Sequence, residues 1–194
     1  MKKLTTLLLA GAFVVAAAAG ATAQSKPPFG GADDAAFAEQ LWAAMAEARL
    51  VGPNALKTTT YQGGTGLHAT TLTLLQGMVS VGDNTGLAIV KNNFRGAEGK
   101  DVTDADIIER PQDFGGPTTV MYQRKGYDPD NQNWFWAVYL PTGKIVANPK
   151  GMTMAGRIVG GGAMADAPFN CVACHQGAPG NDMVFVHNAV PEIK

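Results

Sequence analysis

Both cysteines of the chain and one of its three histidines lie within five consecutive residues, 171–175, with the sequence C-V-A-C-H. Thiols at this spacing lie one helical turn apart, so both can form thioether bonds with the vinyl groups of one porphyrin. The histidine after the second cysteine then comes under the ring, where its imidazole can ligate the iron. The motif predicts covalently attached haem c, with Cys171 and Cys174 as attachment residues and His175 as the iron ligand.

Two other uses of the motif are open on the sequence alone. An exported C-x-x-C pair can form a structural disulfide, or a redox-active pair at the start of a helix. The preceding segment, GRIVGGGAMADAPFN, is too rich in glycine to resemble the strand before such a redox helix. A zinc site needs four ligands, and only His68 and His187 are left to complete a set with the motif. Haem attachment is the interpretation we adopt.

The N-terminus has the three parts of a secretory signal peptide: two lysines, an apolar run at residues 7–19 and an A-x-A cleavage site at 21–23. We expect residues 1–23 to be removed and residues 24–194 to form a single domain in a bacterial periplasm. The alternative is an uncleaved N-terminal anchor. No stretch reaches the ~18 continuous apolar residues of a membrane span, so we expect no stable membrane insertion.

The charge balance gives no indication of a nucleic-acid partner. Removing the signal peptide takes away two of the 15 basic residues and none of the 16 acidic ones, which leaves a net charge of −3. Neither sign dominates, so nothing predicts binding to nucleic acid or to anionic lipid. The low charged fraction of 16% and the 24 glycines are typical of a loop-rich globular domain.

The elements that must position the motif lie upstream of it. Apolar residues recur at every fourth position over Phe37–Met45, which predicts a helix that is capped by Asp33 or Asp34 and ends near Leu50. The sequence at Thr103–Asp106 resembles a capping box, which predicts a second, short helix.

Four further segments have the composition and alternation of β-strands: Leu67–Leu75, Gly86–Phe94, Thr118–Lys125 and Trp134–Leu140. Both parities of the last segment are apolar, so we expect it to be covered on both faces of a sheet. Short turn-rich connections favour antiparallel pairing. The predicted class is α+β, a mostly antiparallel β-sheet with an N-terminal helix and a C-terminal haem-attachment segment.

Three segments together resemble cytochrome P-460 and its relative, the β-sheet cytochrome c-prime: GLAIVKNNF, TTVMYQRKGYDPDNQNWFWAVYLPTGK and CVACHQGAPGNDMVF. The resemblance covers roughly residues 67–186. It implies a homodimer with a mostly antiparallel β fold and a five-coordinate c-type haem. Members called cytochrome P-460 oxidise hydroxylamine, pass the electrons on, and carry a covalent bond from a lysine to the porphyrin edge. That lysine matches Lys91.

Lys91 is also unusual without the resemblance. Strand parity places it on the same side as Leu87 and Ile89, the predicted inward side. A lysine aimed at a core must find a charge partner or lose its charge, and a neutral amine beside a macrocycle is a nucleophile. The alternative is a lysine at a strand end that reaches solvent, because the polar Asn92 and Asn93 follow it.

One feature departs from the hydroxylamine-oxidising members, which have a distal carboxylate that accepts protons. The corresponding strand, PTTVMYQRK, contains no aspartate or glutamate, although Glu109 and Asp113 lie nearby in sequence. We therefore expect an oxidoreductase acting on hydroxylamine or a related small nitrogen compound, with a soluble electron-acceptor protein as partner. The alternative is a non-catalytic protein that binds nitric oxide at an open iron site.

Other residues could complete the surroundings of the iron. His68, Thr70 and Phe94 are candidates to line a distal pocket, although His68 could equally be a hydrogen-bonded surface residue. A six-coordinate haem that only transfers electrons would need a second ligand from the opposite side of the ring. The methionines available for this role are Met121, Met152, Met154 and Met164.

Overall fold

A computed structural model describes residues 29–64, 68, 70–96, 102–159 and 170–185. The predicted signal peptide, residues 1–23, lies outside these residues. The described helices are α1 (Ala32–Glu47), α2 (Asp104–Glu109), α3 (Pro111–Phe114) and α4 (Cys171–His175). The described strands are β1 (Tyr61–Gln62), β2 (Thr71–Val81), β3 (Asn84–Phe94), β4 (Gly115–Gln123), β5 (Trp134–Tyr139) and β6 (Ala155–Gly156).

The six described strands form one antiparallel sheet in which each strand pairs with the next along the chain, in the order β1-β2-β3-β4-β5-β6. Strands β2 and β3 pair over their full length, from Thr71 opposite Phe94 to Val81 opposite Asn84. Gly82 begins the turn between them with φ at +56°, a conformation that costs glycine little. The antiparallel sheet and the helices agree with the predicted α+β class.

The four predicted strands are present, and their ends differ from the prediction. The first begins at Thr71 rather than at Leu67, and it continues to Val81 rather than stopping at Leu75. It is longer because its pairing with β3 runs to the hairpin turn, which brings Val79 into the core. All six residues of β5 are buried, as its two apolar parities predicted.

The N-terminal helix is present, but its predicted cap is wrong. Gly31 occupies the capping position, and α1 ends at Glu47 rather than near Leu50. Asp34 lies inside the helix and is buried against the sheet, where the Tyr127 hydroxyl donates to Oδ2 at 2.9 Å. The capping box at the start of α2 is confirmed, with reciprocal hydrogen bonds between its first and fourth residues.

Apolar side chains from alternate strand positions form two cores, one on each face of the sheet. The α1 core, on the face that α1 covers, includes Phe37, Leu41, Val90, Tyr122 and Phe135. The α4 core, on the opposite face, includes Ile89, Met121, Trp136, Met154 and Val172. The C-terminal segment that carries the C-x-x-C-H motif therefore packs on the face opposite to the N-terminal helix.

A buried polar network holds the end of α4 against the loop before β5. Gln176 Nε2 donates to Asn131 Oδ1 at 3.0 Å, and Asn131 Nδ2 donates to Asp128 Oδ2 at 2.6 Å. Arg157 Nε donates to the same carboxylate oxygen at 2.8 Å. Because Asp128 and Asn131 are buried and satisfied, this network fixes the position of α4 on the sheet.

Within the described ranges, no helix is long and apolar enough to cross a membrane.

Candidate functional site

A cavity on the α4 face of the sheet brings together residues from distant parts of the chain. Its polar lining includes Lys91 from β3, Cys171 and His175 from α4, and His68 from the segment before β2. Apolar side chains such as Trp136 form its walls. Three of the four residues predicted to hold a cofactor thus share one cavity, although only two of them are close in sequence.

The two thiols of α4 have different surroundings. The Asn170 side chain caps the helix by accepting from the backbone N–H of Ala173 at 3.0 Å. Cys171 is half-buried and lines the cavity, whereas Cys174 is exposed, and neither is in a disulfide. Burial raises the pKa of the Cys171 thiol to about 12, because a thiolate is poorly solvated there.

His175 is held by a main-chain carbonyl. Its Nδ1 lies 2.7 Å from the carbonyl oxygen of Met183, which can only accept, so Nδ1 carries the hydrogen and Nε2 keeps a lone pair. The ring packs edge-on against Trp136 and Phe185, with centroids 4.7 Å and 5.2 Å away. Met183 has a left-handed backbone, with φ at 64°. A fixed imidazole with one available nitrogen is the usual arrangement of a metal-ligating histidine.

Burial determines the charge of this histidine. The pKa of His175 is lowered to about 4, first by desolvation and then by the nearby positive charges of Lys91 and His68, against the hydrogen bond to Met183. The ring is therefore neutral near pH 7. Metal ligation requires this neutral form.

Lys91 faces the same cavity from β3, between Leu74 of β2 and Thr119 of β4. It is half-buried and lies on the same face of the sheet as Ile89, the inward side expected from strand parity. Burial lowers the pKa of its amine, and the nearby Cys174 opposes this shift. Lowering the pKa increases the fraction of neutral amine, which is the nucleophilic form.

His68 belongs to the cavity lining rather than to the open surface. Its Nδ1 lies 3.2 Å from Asn93 Oδ1, and burial lowers its pKa, with Lys91 as the second cause. The other two distal-pocket candidates lie elsewhere: Phe94 packs in a separate cluster, and the Thr70 hydroxyl donates to the carbonyl of Phe94. His68 was a candidate from the sequence, but its partner Asn93 was not, because the two residues lie 25 positions apart in the chain.

The described part of the cavity lining contains no carboxylate. Glu109 and Asp113 are exposed on α2 and α3, away from the lining. Of the candidate methionine ligands, Met121 lines the cavity and Met154 is buried in the α4 core, whereas Met152 is only half-buried. The fourth, Met164, lies outside the described residues.

The side chains at and beside the cavity include the groups that a c-type haem requires. Two thiols three residues apart and an imidazole with a lone pair on Nε2 are the groups that such a cofactor requires. Trp136 adds a buried indole N–H that has no acceptor among the described residues, which leaves a donor for a polar group of a bound molecule.

The size of the cavity restricts where a haem could lie. Its water-accessible volume is about 30 Å³, enough for a few water molecules or a ligand of a few atoms. A porphyrin is larger than this volume. A haem anchored at Cys171 and Cys174 would therefore have to extend out of the cavity.

No group of three or more histidine, cysteine, aspartate or glutamate side chains converges as a metal-ligand set in the ranges that the structure describes. His187, one of the two further histidines considered for a zinc site, lies outside these ranges. No family model matches the chain, and searches of curated proteins and of solved structures found no significant similarity.

Proposed function

We propose that this chain is an exported c-type haem protein of the cytochrome P-460 and β-sheet cytochrome c-prime type. In this proposal it oxidises hydroxylamine or a related small nitrogen compound and passes the electrons to a soluble acceptor protein. The observation that carries the proposal is the convergence of Lys91, Cys171 and His175 on one cavity. A structural disulfide in α4 would not require a half-buried lysine on the same cavity.

The residues of α4 would hold the cofactor. Cys171 and Cys174 would provide the thioether bonds, and His175 would ligate the iron through Nε2, because Nδ1 is engaged by the Met183 carbonyl. When bound, haem supplies an iron that can take up electrons and an open coordination position for a small ligand. Lys91 would stand at the porphyrin edge, where its lowered pKa favours the neutral amine needed for a covalent bond.

The other residues of the cavity would select the ligand. Apolar side chains such as Ile89 and Met121 would favour a small uncharged molecule over an ion. We extend the proposal to a periplasmic homodimer, because the resemblance implies that assembly and the signal peptide implies export.

The second candidate is a non-catalytic protein that binds nitric oxide. One observation favours it: the described cavity lining contains no carboxylate to accept the protons that hydroxylamine loses on oxidation. Nitric oxide carries no proton, so its binding needs no base.

The first experiment asks whether haem is attached. The full-length chain is expressed in a bacterial host with the c-type maturation system and purified from the periplasm. We expect a coloured protein in which the tryptic peptide containing Cys171 and Cys174 carries one haem. The matched control is the double variant Cys171→Ala/Cys174→Ala, which should be colourless. Colourless wild-type protein from the same host contradicts the proposal.

The second experiment separates the classes of haem protein. A high-spin spectrum that shifts when carbon monoxide is added to the reduced protein supports an open coordination position, and a low-spin spectrum without a shift indicates an electron carrier. Peptide mapping then tests for a bond between Lys91 and haem, with Lys91→Arg as the control that cannot form it.

The third experiment decides between catalysis and gas binding. Consumption of hydroxylamine with an added electron acceptor, well above the rate of free haem, supports the oxidoreductase. Binding of nitric oxide without measurable turnover of hydroxylamine supports the second candidate.

A further inference from the structure

The hydrogen bonds around Asn93 determine which nitrogen of His68 carries its hydrogen. Asn93 is 1% exposed on β3, and its Nδ2 donates to the Pro117 carbonyl at 2.6 Å, with the Lys91 carbonyl 3.5 Å away. Both oxygens can only accept, so this end of the amide must be the NH₂ group. Asn93 Oδ1 therefore faces His68 Nδ1, at 3.2 Å, and accepts its hydrogen.

The second nitrogen of His68 is then a hydrogen-bond acceptor. A neutral imidazole protonated at Nδ1 has its lone pair on Nε2, where it can take up a proton. Burial and the charge of Lys91 both lower the pKa of His68, which keeps the ring neutral near pH 7. The charged or titratable groups that share the described lining with it are Lys91 from β3, and Cys171 and His175 from α4.

We propose that His68 is the proton acceptor for a small ligand that enters this cavity with an N–H or O–H group, and that Asn93 is its positioning residue. The ligand proton moves to Nε2, and the electron pair of the broken bond stays on the ligand. His68 becomes an imidazolium whose Nδ1–H still donates to Asn93 Oδ1. This inference rests on the proposed function. It assigns to His68 the role of proton acceptor, for which the strand PTTVMYQRK has no carboxylate.

The first test reads the tautomer directly. Holoprotein labelled with ¹⁵N-histidine is studied by NMR in its reduced, carbon monoxide-bound form, which is diamagnetic, and His68→Gln identifies the signals of the ring. We expect His68 to carry its hydrogen on Nδ1 near pH 7. Asn93→Leu, of similar size but without an acceptor, should abolish this preference. A wild-type ring protonated at Nε2, or a charged ring at pH 7, overturns the proposal.

The second test measures proton transfer without turnover. Hydrogen cyanide loses its proton when it binds ferric haem, whereas carbon monoxide has no proton to lose. We expect His68→Gln to slow cyanide association at pH 7 by about 100-fold. Carbon monoxide association with the reduced protein should stay within about twofold of the wild-type rate. The rate of cyanide association with the wild type should fall at acidic pH as His68 becomes protonated. The rate for His68→Gln should not show this fall.

The result for Asn93→Leu separates positioning from proton transfer. This variant keeps the imidazole but loses its orientation, so we expect a cyanide rate between those of the wild type and His68→Gln. A haem-loaded His68→Gln protein that binds cyanide at the wild-type rate contradicts the role of His68 alone. A chain that acquires no haem contradicts the proposed function instead, so the two failures are distinguishable.

Discussion

The two cysteines of α4 should differ in reactivity when no haem is attached. Cys171 is half-buried and its thiol pKa is raised to about 12, whereas Cys174 is exposed. Because the thiolate is the reactive form, we expect iodoacetamide to modify Cys174 at least tenfold faster at pH 8. Peptide mass spectrometry over a time course measures both rates. In the protein unfolded by guanidinium, the two cysteines should react at rates within about twofold of each other. Equal rates in the folded protein would contradict the difference in burial between the two thiols of α4.

Lys91 should make the haem-free protein less stable at neutral pH. Its pKa is lower in the folded chain than the 10.5 of an exposed lysine, so the unfolded chain binds the proton more tightly. The free energy of unfolding then rises with pH between the pKa of Lys91 in the folded chain and 10.5. Below this pH range Lys91 is charged in both states, and its full destabilising effect is present. We expect Lys91→Met to raise the free energy of unfolding at pH 7 and to remove this rise.

Urea unfolding at a series of pH values checks this expectation. Lys125→Met is the matched control, because Lys125 is exposed and should leave both the stability and its pH dependence nearly unchanged. A Lys91→Met protein that is less stable than the wild type at pH 7 would mean that the charged amine is well accommodated in the cavity.

At the residue scale, local sequence patterns were enough to find the candidate ligands but not the residues that hydrogen-bond to them. Cys171, Cys174 and His175 are recognised from their spacing, and Lys91 from strand parity together with the resemblance. The place of His68 in the cavity depends on Asn93, which becomes its neighbour only when the sheet forms. Such contacts between distant segments have no periodic signal in the sequence.

At the scale of elements, α1 is anchored to the sheet by a buried carboxylate. Asp34 Oδ2 accepts from the Tyr127 hydroxyl at 2.9 Å, and Oδ1 lies 3.6 Å from an Arg124 guanidinium nitrogen. Asp34→Ala leaves both partners without their acceptor, and we expect it to lower the free energy of unfolding by about 3 kcal/mol. Asp34→Asn should cost less, because its amide oxygen can still accept from Tyr127.

Chemical denaturation of these variants measures the effect. The matched control is Asp33→Ala, an exposed neighbour in the first turn of α1, which should cost less than about 1 kcal/mol. An Asp34→Ala protein within 1 kcal/mol of the wild type would show that this contact does little to hold the helix.

The pairing of β3 with β4 requires a residue without a side chain at position 86. A Cβ atom on Gly86 would lie 1.9 Å from the carbonyl oxygen of Gln123, so one of the two backbones must move. We expect Gly86→Ala to lower the free energy of unfolding by about 3 kcal/mol. The control is Gly64→Ala, where the added Cβ meets no atom of the described residues within 4 Å. Equal stabilities of the two variants in urea unfolding would contradict the close approach.

Four of the six described strands followed from composition, whereas their ends and the two-residue strands β1 and β6 did not. The predicted end of the first strand at Leu75 precedes Gly77 and the largely exposed Met78, which interrupt the apolar pattern. The strand continues nevertheless because its backbone pairs with β3 as far as the turn. The cap of α1 was predicted wrongly for a similar reason, since Asp34 is used by a partner 93 residues away.

At the scale of the whole molecule, one sheet separates two cores with different roles. Leu41 lies in the α1 core and Met154 in the α4 core, and both are fully buried. Truncating either to alanine should cost about 3 kcal/mol of stability. Met154→Ala should also change the absorption spectrum of the haem-loaded protein, and more than Leu41→Ala does, because most of the apolar lining of the cavity belongs to the α4 core.

Thermal unfolding and absorption spectra of the two variants make this comparison. The matched truncations remove side chains of similar size from opposite faces, so a loss of stability alone cannot explain a spectral difference between them. An equal spectral change in Leu41→Ala would mean that the sheet transmits packing defects from one face to the other.

The main-chain partner of His175 has a consequence for variation of this protein. A carbonyl oxygen is present whatever residue occupies position 183, so exchanging the side chain there removes no acceptor from the imidazole. What a substitution can change is the local torsion, since the left-handed backbone tolerates glycine and asparagine far better than valine or isoleucine. The orientation of the ring therefore depends on the backbone conformation at position 183 and on how its side chain packs in the α4 core, not on a hydrogen bond from that side chain.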